Sequence, residues 1–274
     1  MASVSTTRIG IALPAGPSLG ASSIAEGARR IESAGFASAW AFDTVGRGFL
    51  YQDPLIALAV AAGATERIEL GTGILQVPLR NPVNLVRAVI TAQLVCGGRL
   101  LLGVGAGSTP ADFAAVGVDF DSRFRRFDQS LATMKKLWAG ETVGEASLGA
   151  PWAGTGGGPP ILIGSWAGSR WVARAATEFD GWIGSGARAS WRLLADAIER
   201  FRIFGGKRAI VTNIVVSFDA DPSLDGPDDA VTLVGPPATV ADRLRRLSAL
   251  GFDDIVLVPH RHDAEHLAEL RSLV

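Results

Sequence analysis

This 274-residue chain is poor in several residue types that carry chemistry in other proteins. Its single cysteine, Cys96, excludes an intrachain disulfide and favours a reducing compartment. No apolar run approaches the length that spans a bilayer, and the first residues lack the apolar segment of a secretory signal. The net charge of −1, with basic residues scattered among acidic ones, argues against nucleic acid as the main partner. The composition therefore predicts a soluble cytoplasmic protein with no nucleic-acid or membrane partner.

Histidine is also scarce, and the three in the chain, His260, His262 and His266, fall close together near the C-terminal end. His262 and His266 would share a helical face, which makes a metal site conceivable. No cysteine accompanies them in this stretch, so we interpret them as a solvated surface cluster and expect no bound metal. His260 follows the last predicted strand and is the one of the three that we consider as a ligand contact.

Apolar periodicity divides the chain into eight strands, each followed by a helix. The predicted strands are Arg8–Leu13, Ala37–Phe42, Ile68–Leu75, Arg99–Val104, Ile161–Gly164, Gly181–Gly184, Ala209–Phe218 and Asp254–Val258. The predicted helices are Ser22–Ala34, Pro54–Ala64, Pro82–Val95, Arg123–Trp138, Ser169–Thr177, Ala189–Phe204, Thr239–Leu250 and Ala264–Leu273. Eight βα units in one chain of this length predict a single (β/α)8 TIM-barrel domain over residues 1–274. A doubly wound sheet stays open as an alternative, because alternation alone does not show closure.

Glycines gather where the third and fourth predicted strands end. Gly71 and Gly73 close the third strand, and Gly103, Gly105 and Gly107 run through the end of the fourth. Parallel α/β folds bind their ligands at the carboxyl ends of the strands, and a bare backbone lets a flat or phosphorylated ligand come close. The pattern therefore predicts a ligand site at these two turns.

A third turn, after the fifth predicted strand, has the composition of an anion site. It leads into a predicted helix, and free amides and the helix dipole favour a phosphate at such a position. The alternative is that Ser169 only caps the helix, a role compatible with phosphate binding. The predicted contact residues in this turn are Gly164, Ser165, Trp166, Gly168 and Ser169.

Eight segments of the chain form a distinctive set in their order and spacing: Trp40–Asp43, Asp53–Pro54, Ala64–Ile68, Leu70–Pro82, Gly97–Gly107, Phe113–Phe120, Arg123–Trp138 and Ile161–Trp182. Together they resemble the bacterial luciferase-like family of flavin- and deazaflavin-dependent oxidoreductases. The resemblance implies a TIM barrel, in agreement with the count of βα units, that binds FMN or the deazaflavin coenzyme F420 at its carboxyl face. It also implies a non-prolyl cis peptide bond at Gly73–Ile74 or its neighbour, which supports the cofactor ring.

The resemblance also assigns roles to individual residues. The implied ring contacts are Gly73, Ile74, Gly105, Ala106, Gly107 and Ser108. Trp40 and Trp166 are expected to wall the flat cofactor because they lie close to these site residues, and the alternative is that they pack between the barrel and its helices. For the turn Gly105–Ser108 the alternative is that its small residues only let the helix layer pack. Asp43 is the predicted catalytic residue, unless its carboxylate merely accepts backbone amides of the following loop. Many relatives have histidine after this acid, whereas here Thr44 follows, which leaves Asp43, Thr44, Arg47 or Tyr51 to handle a proton.

The expected activity is hydride transfer between F420 and a small organic substrate. The alternative enzymatic activity is that of an FMN-dependent monooxygenase of the same family. We prefer F420 because the stretch Leu70–Pro82 is more similar to the F420-dependent branch. A non-catalytic family member is the alternative from another class, because position 44 lacks histidine and the loop Gly140–Pro160 is short and rich in glycine.

A homodimer is expected from the apolar character of two predicted helices. Pro54–Ala64 and Pro82–Val95 carry apolar residues on more than one face, whereas an outer helix of a barrel buries one stripe. The residues that suggest a surplus are Leu55, Leu58, Val60, Leu85 and Val89.

Overall fold

The computed structural model describes residues 7–16, 21–219 and 231–274, and its strands form one sheet. The strands are β1 (Arg8–Ala12), β2 (Ser38–Ala41), β3 (Glu69–Thr72), β4 (Leu75–Gln76), β5 (Leu100–Gly105), β6 (Ile161–Gly164), β7 (Gly181–Ser185), β8 (Arg208–Ser217), β9 (Leu233–Val234) and β10 (Asp254–Pro259). Eight of them pair in parallel in the order β1–β2–β3–β5–β6–β7–β8–β10, and β10 pairs with β1. The ring is closed, so the predicted TIM barrel is confirmed and the doubly wound sheet is excluded.

Helices occupy the connections between the strands. They are α1 (Ala21–Ser33), α2 (Pro54–Ala62), α3 (Pro82–Val95), α4 (Pro110–Ala115), α5 (Arg123–Trp138), α6 (Trp171–Glu178), α7 (Trp191–Ile203), α8 (Pro237–Ser248) and α9 (Ala264–Arg271). Asp53 and Asn81 accept backbone N–H groups at the starts of α2 and α3, each ahead of a proline in the first turn. The sequence pattern does not predict α4, because a six-residue helix is too short to show periodicity. Within the described residues, no helix has the length and apolar character needed to cross a membrane.

The third predicted strand is interrupted, which shapes the carboxyl end of the barrel. β3 ends at Thr72 and the chain resumes as β4 at Leu75, with a cis peptide bond between Gly73 and Ile74. The cis bond lies where the family resemblance implies it. β4 then pairs with the last two residues of β5, so the bulge formed by Gly73 and Ile74 stands at the mouth of the barrel.

The barrel interior is filled by a small apolar cluster around Trp40. Its buried members are Trp40, Leu101, Leu162, Ile183, Ile210 and Val256. A Cβ at Gly71 would lie 2.4 Å from the Trp40 ring, so glycine is required there for the indole to fit. The interior below the mouth is therefore packed, and space for a ligand remains only above this cluster.

The apolar residues that suggested a dimer surface belong to the core of the chain itself. Leu55, Leu58, Leu85 and Val89 are buried between the helices and the barrel, so that part of the argument was wrong. The α2 and α3 helices nevertheless expose Ile56, Leu94 and Val95, with relative exposures of 67%, 46% and 48%. The homodimer stays a prediction.

Candidate active site

A cavity of ≈ 430 Å³ opens at the carboxyl end of the barrel, a volume typical of small-molecule sites. Its wall comes from the ends of β2, β3, β5, β6, β7 and β8 and from the loops that follow them. The predicted site residues that line it are Asp43, Gly73, Ile74, Gly105, Ala106, Gly107, Ser108, Gly164, Ser165, Trp166 and Ser169. Segments far apart in sequence thus converge on one space, as expected from the resemblance.

Trp40 and Gly168 are absent from the described lining, and for Trp40 the reason is clear. The Trp40 indole is completely buried in the barrel interior and donates its Nε1–H to Ser38 Oγ at 2.8 Å. The side chain therefore supports the floor of the cavity from below. The proposed contact between Trp40 and the cofactor ring is corrected to this packing role.

Asp43 is held in place by two other groups. Its Oδ2 accepts the backbone N–H of Gln76 at 2.8 Å, and its carboxylate pairs with both terminal nitrogens of Arg80. Burial by itself would lower the pKa of Arg80, but hydrogen bonds and charges from Asp43 and Asp53 outweigh it, so this pKa lies above its ordinary value. Arg80 therefore keeps its charge beside Asp43, and the contacts of Asp43 match the alternative of an acid that binds the next loop. A catalytic role for Asp43 stays a prediction.

A second buried carboxylate, Asp112, lies behind the cavity wall and escaped sequence reasoning. It is completely buried on α4 and accepts from Arg47 Nη2 at 2.7 Å and Arg47 Nε at 3.1 Å. Gln76 Nε2 bridges the two acids, donating to the Asp43 carbonyl at 3.1 Å and to Asp112 Oδ2 at 3.0 Å. Both partners only accept, so the amide nitrogen must face them and Gln76 Oε1 turns towards Gly107. In the sequence, the polar Gln76 within the largely apolar stretch Leu70–Pro82 is the feature that could have indicated this network.

The glycines around the mouth serve the packing of Ile74. A Cβ on Gly105 would lie 2.9 Å from Ile74 Cδ1, and a Cβ on Gly164 would lie 2.3 Å from Ile74 Cγ2. These two glycines therefore admit the Ile74 side chain, which forms the apolar floor of the cavity. Gly107 has φ +78°, a conformation that favours glycine on its own account. Packing of Ile74 therefore accounts for glycine at positions 105 and 164, and contact of these turns with a ligand stays a prediction.

The turn Gly164–Ser169 is braced by side chains from elsewhere. Arg200 Nη2 donates to the carbonyl groups of Ala167 at 2.7 Å and Ser169 at 3.0 Å. Ser169 Oγ accepts the backbone N–H of Trp171 at 3.1 Å, and Ser165 Oγ accepts Trp182 Nε1–H at 3.1 Å. α6 starts at Trp171, two residues later than the predicted Ser169, and its N-cap residue is Arg170, whose side chain makes no capping hydrogen bond. Phosphate binding at this turn stays a prediction.

On the opposite side, Thr212 and Asn213 of β8 line the cavity, and sequence reasoning missed both. Asn213 has φ +58° and donates Nδ2–H to Ser185 Oγ at 3.2 Å. The Thr212 side chain is buried, and the described residues offer no hydrogen-bond partner to its Oγ1. Sequence reasoning missed these two residues because no local pattern predicts that two polar residues within an apolar strand face a ligand.

The histidine cluster does not lie on this wall. His260 is exposed and outside the described lining. His262 Nε2 lies 2.8 Å from the carbonyl oxygen of Ala12, and the His266 ring packs against Phe218. His266 is buried with 4% exposure, so the interpretation as a solvated surface residue was wrong for His266, whereas His260 is exposed as expected. Burial lowers the pKa of both His262 and His266.

Comparisons with solved structures place this geometry among known barrels. An F420-dependent secondary alcohol dehydrogenase, solved with an F420–acetone adduct, superposes with a TM-score of 0.80 at 16% identity and covers 98% of both chains. The oxygenating constituent of 3,6-diketocamphane monooxygenase from Pseudomonas putida, solved with FMN, gives 0.75 at 17% identity and covers 97% of this chain and 95% of that one. At such identities the likeness shows a shared fold.

Sequence comparisons identify the family. An F420-dependent glucose-6-phosphate dehydrogenase of Nocardia farcinica is 32% identical over 190 residues, which cover 61% of this chain and 55% of that protein. A limonene 1,2-monooxygenase of Rhodococcus erythropolis is 30% identical over 115 residues, covering 41% and 30%. The chain thus spans about half or less of the length of these curated relatives. Residues 1–223 match the family described as luciferase-like monooxygenase. Since this match covers most of the sequence, the chain belongs to the luciferase-like monooxygenase family.

Proposed function

We propose that this protein is an oxidoreductase that moves a hydride between the deazaflavin F420 and a small organic substrate. The observation that carries the proposal is the cavity at the carboxyl end, which joins the turn Gly164–Ser169 to an apolar floor at Ile74. The relatives named as F420-dependent dehydrogenases and the likeness of Leu70–Pro82 to the F420 branch support F420 as the cofactor.

The turn Gly164–Ser169 fits the phosphate that F420 and FMN both carry. It precedes α6, whose first amides and dipole favour an anion. Ser165 and Ser169 each use an oxygen lone pair to accept an N–H group, which leaves the hydroxyl hydrogen to donate. Because Arg200 holds two carbonyl groups of the turn, the donors are oriented before a ligand arrives.

The rest of the wall fits a flat ring with a polar edge. Ile74 supplies an apolar surface, and Gln76 presents a fixed acceptor beside Gly107. When bound in its reduced form, F420 supplies a hydride, which protein side chains cannot. The chain contributes a rigid support, because Asp43, Arg80, Asp112 and Gln76 form one connected network behind the ring site.

Besides Asp43, hydroxyl groups in this cavity are candidates to handle a proton. Asp43 and Arg47 are both occupied by ion pairs, with Arg80 and Asp112. Of the residues that the resemblance left open, Tyr51 and Thr44 remain, and both line the cavity. Burial raises the pKa of Tyr51, so its phenol keeps its proton over the physiological range.

Two alternatives are carried with this proposal. An FMN-dependent monooxygenase is supported by the similarity to limonene 1,2-monooxygenase and by the FMN-containing structure of the same fold. The alternative of a non-catalytic family member is supported by position 44, where this chain has threonine and many relatives have histidine.

Titration of the purified protein with F420 and, separately, with FMN tests all three. We expect F420 to bind with the lower Kd, followed by loss of the deazaflavin absorbance band on reduction. Tighter binding of FMN would favour the monooxygenase. A protein that is folded by circular dichroism yet binds neither cofactor at high micromolar concentration would be the non-catalytic member.

A further inference from the structure

Residues 44–51, which lie between β2 and α2, form a loop at the mouth of the cavity that the backbone does not tie down. We call this segment the mouth loop, and its residues in the cavity lining are Thr44, Arg47 and Tyr51. Within the described ranges, none of its backbone N–H or C=O groups takes part in a hydrogen bond with a protein group. Both flanks are fixed, since Asp43 Oδ2 accepts the N–H of Gln76 at 2.8 Å and Gln52 Nε2 donates to the carbonyl of Pro14 at 2.8 Å. The mouth loop is therefore a span of chain between two anchored ends.

A single ion pair, Arg47–Asp112, holds the middle of the mouth loop within the described part of the chain. Arg47 donates from Nε to Asp112 Oδ1 at 3.1 Å and from Nη2 to Oδ2 at 2.7 Å, and this carboxylate is completely buried on α4. The backbone at Gly46 also lies against α4, where a Cβ would come within 2.5 Å of the Ala111 carbonyl oxygen. Gly46 and Gly48 flank the arginine with φ of +70° and +83°, so the chain turns on both sides of this tether.

The tip of the mouth loop presents two large apolar side chains to solvent. Phe49 is 49% exposed and Leu50 is 78% exposed, and both follow the turn at Gly48. The Phe49 ring packs edge-to-face against Tyr51, with 6.3 Å between the ring centroids, so the tip adjoins a residue of the cavity wall. Removing apolar surface from water is favourable, and a segment with few buried contacts and no backbone hydrogen bonds moves at a low cost in free energy. A ligand in the cavity would provide the apolar surface that the tip lacks.

We propose that the mouth loop is a flap that closes over a bound ligand, with Arg47 and Asp112 as its fixed base and Phe49 and Leu50 as its moving tip. The base is fixed because the buried Asp112 carboxylate accepts from both Arg47 and Gln76. Closure buries the apolar tip, excludes water from the cavity and slows the release of the ligand. The closure over a cofactor rests on the proposed function, whereas the tether at Asp112 does not.

Limited proteolysis of the ligand-free protein tests the tether. Chymotrypsin cuts after aromatic and leucine residues, which the tip offers, and mass spectrometry identifies the bonds that are cut. The double variant Arg47→Gln/Asp112→Asn removes the ion pair without leaving a buried charge unpaired, so it should stay folded by circular dichroism. We expect its cleavage rate within the mouth loop to rise by at least about tenfold over wild type.

Two further variants make this test specific. Arg192→Met, which alters an exposed ion pair on α7, should leave the cleavage rate of the mouth loop unchanged. Should the double variant unfold, Arg47→Lys decides the same point, because lysine keeps the charge but lacks the paired donors, and its rate should rise by at least about threefold. A rate equal to that of wild type, or a rise shared by bonds throughout the chain, would overturn the tether.

Cofactor kinetics test the closure. Saturating F420 should slow cleavage of the mouth loop by at least about tenfold, because the closed tip is withdrawn from the protease. By stopped-flow fluorescence, Phe49→Ser/Leu50→Ser should raise the dissociation rate constant of F420 by at least about tenfold and leave the association rate constant within about threefold, since the flap closes after binding. Ile203→Ser, at a residue 74% exposed on α7, is the control that should change neither.

The outcomes separate this inference from the proposed function. F420 binding without protection of the mouth loop, or with an unchanged dissociation rate in Phe49→Ser/Leu50→Ser, would overturn the flap and leave the proposed function standing. A protein that binds neither F420 nor FMN would remove the proposed function and the closure over a cofactor together, while digestion of the ligand-free protein still decides the tether at Asp112.

Discussion

Arg208 and Glu69 meet across the amino end of the barrel, although their strands, β8 and β3, lie on opposite sides of the ring. Arg208 Nη2 lies 2.6 Å from Glu69 Oε2, and Arg208 Nε lies 2.9 Å from Asp254 Oδ2. Arg8 joins the same two acids from β1. This network ties four strands together at the end remote from the cavity, where a barrel places residues for stability.

Removal of Arg208 should destabilise the protein without affecting ligand binding. Arg208→Met leaves Asp254, which is completely buried, with Arg8 as its remaining cation. We expect the free energy of unfolding to fall by about 3 kcal/mol, as for other broken buried ion pairs. Chemical denaturation measures this, and Arg192→Met, which alters an exposed pair on α7, is the control that should change little. A weakened cofactor affinity in folded Arg208→Met protein would contradict the prediction.

Asp43 and Arg80 should behave as one unit. Asp43→Asn and Arg80→Met should each lower the free energy of unfolding by about 2 kcal/mol or more, since Arg80→Met leaves the buried Asp43 carboxylate without its cation and Asp43→Asn leaves Arg80 with the more exposed Asp53. The double variant should lose less than the sum, with a coupling of about 1 kcal/mol or more. Turnover by Asp43→Asn should also fall by at least about tenfold, because the carboxylate that both terminal nitrogens of Arg80 contact loses its charge and one of its two acceptor oxygens. Strict additivity in denaturation would show that the two side chains are independent.

A negative charge at position 169 should prevent the cofactor phosphate from docking. Ser169→Asp places a like charge at the turn and should raise the Kd of the cofactor by at least about tenfold. Ser169→Ala is the matched control, since it removes the oxygen that accepts the backbone N–H of Trp171 without adding charge. Fluorescence titration provides both affinities. Equal affinity of wild type and Ser169→Asp for F420 and for FMN would refute phosphate binding here.

Acid should destabilise the C-terminal region through two histidines. The pKa of His262 and of His266 is lowered in the folded protein, first of all by burial, so the unfolded chain takes up protons that the folded one refuses. Their contribution to stability is complete above the ordinary histidine pKa of about 6.5 and is lost as the pH falls below it. Thermal unfolding of wild type and of a His262→Asn/His266→Leu variant, measured over this range, should differ in slope. Parallel slopes would show that neither histidine titrates with unfolding.

We expect the protein to be a homodimer that buries Ile56 of α2. Ile56→Lys should shift the mass measured by light scattering to that of a monomer, because a lysine is disfavoured in an apolar contact. Ile203→Lys is the control, since Ile203 is similarly exposed, at 74%, on α7 on another side of the barrel. A wild-type protein that is monomeric at micromolar concentration would exclude the dimer.

The sequence by itself determined the order of the βα units, because apolar periodicity, proline starts and glycine turns are local signals. It also located the bulge at Gly73–Ile74 and most of the cavity wall through the family resemblance, since the carboxyl ends of parallel strands must meet. Trp40, whose predicted ligand contact was wrong, does lie on a strand whose end lines the cavity. The alternation of side chains along β2 predicts which of them face the barrel interior, but not how far below the cavity each one lies.

Only the tertiary structure decided the partners. Asp43 and Arg80 lie on different loops, and three strands, β3 to β5, separate Arg47 from Asp112 along the chain. Thr212 and Asn213 both face the cavity because one residue of β8 adopts a positive φ. The partners of each charged side chain, and the polar atoms that remain without a partner in the protein, depend on distances between segments that are remote in sequence. Those distances are set only when β10 pairs with both β1 and β8 and the barrel closes.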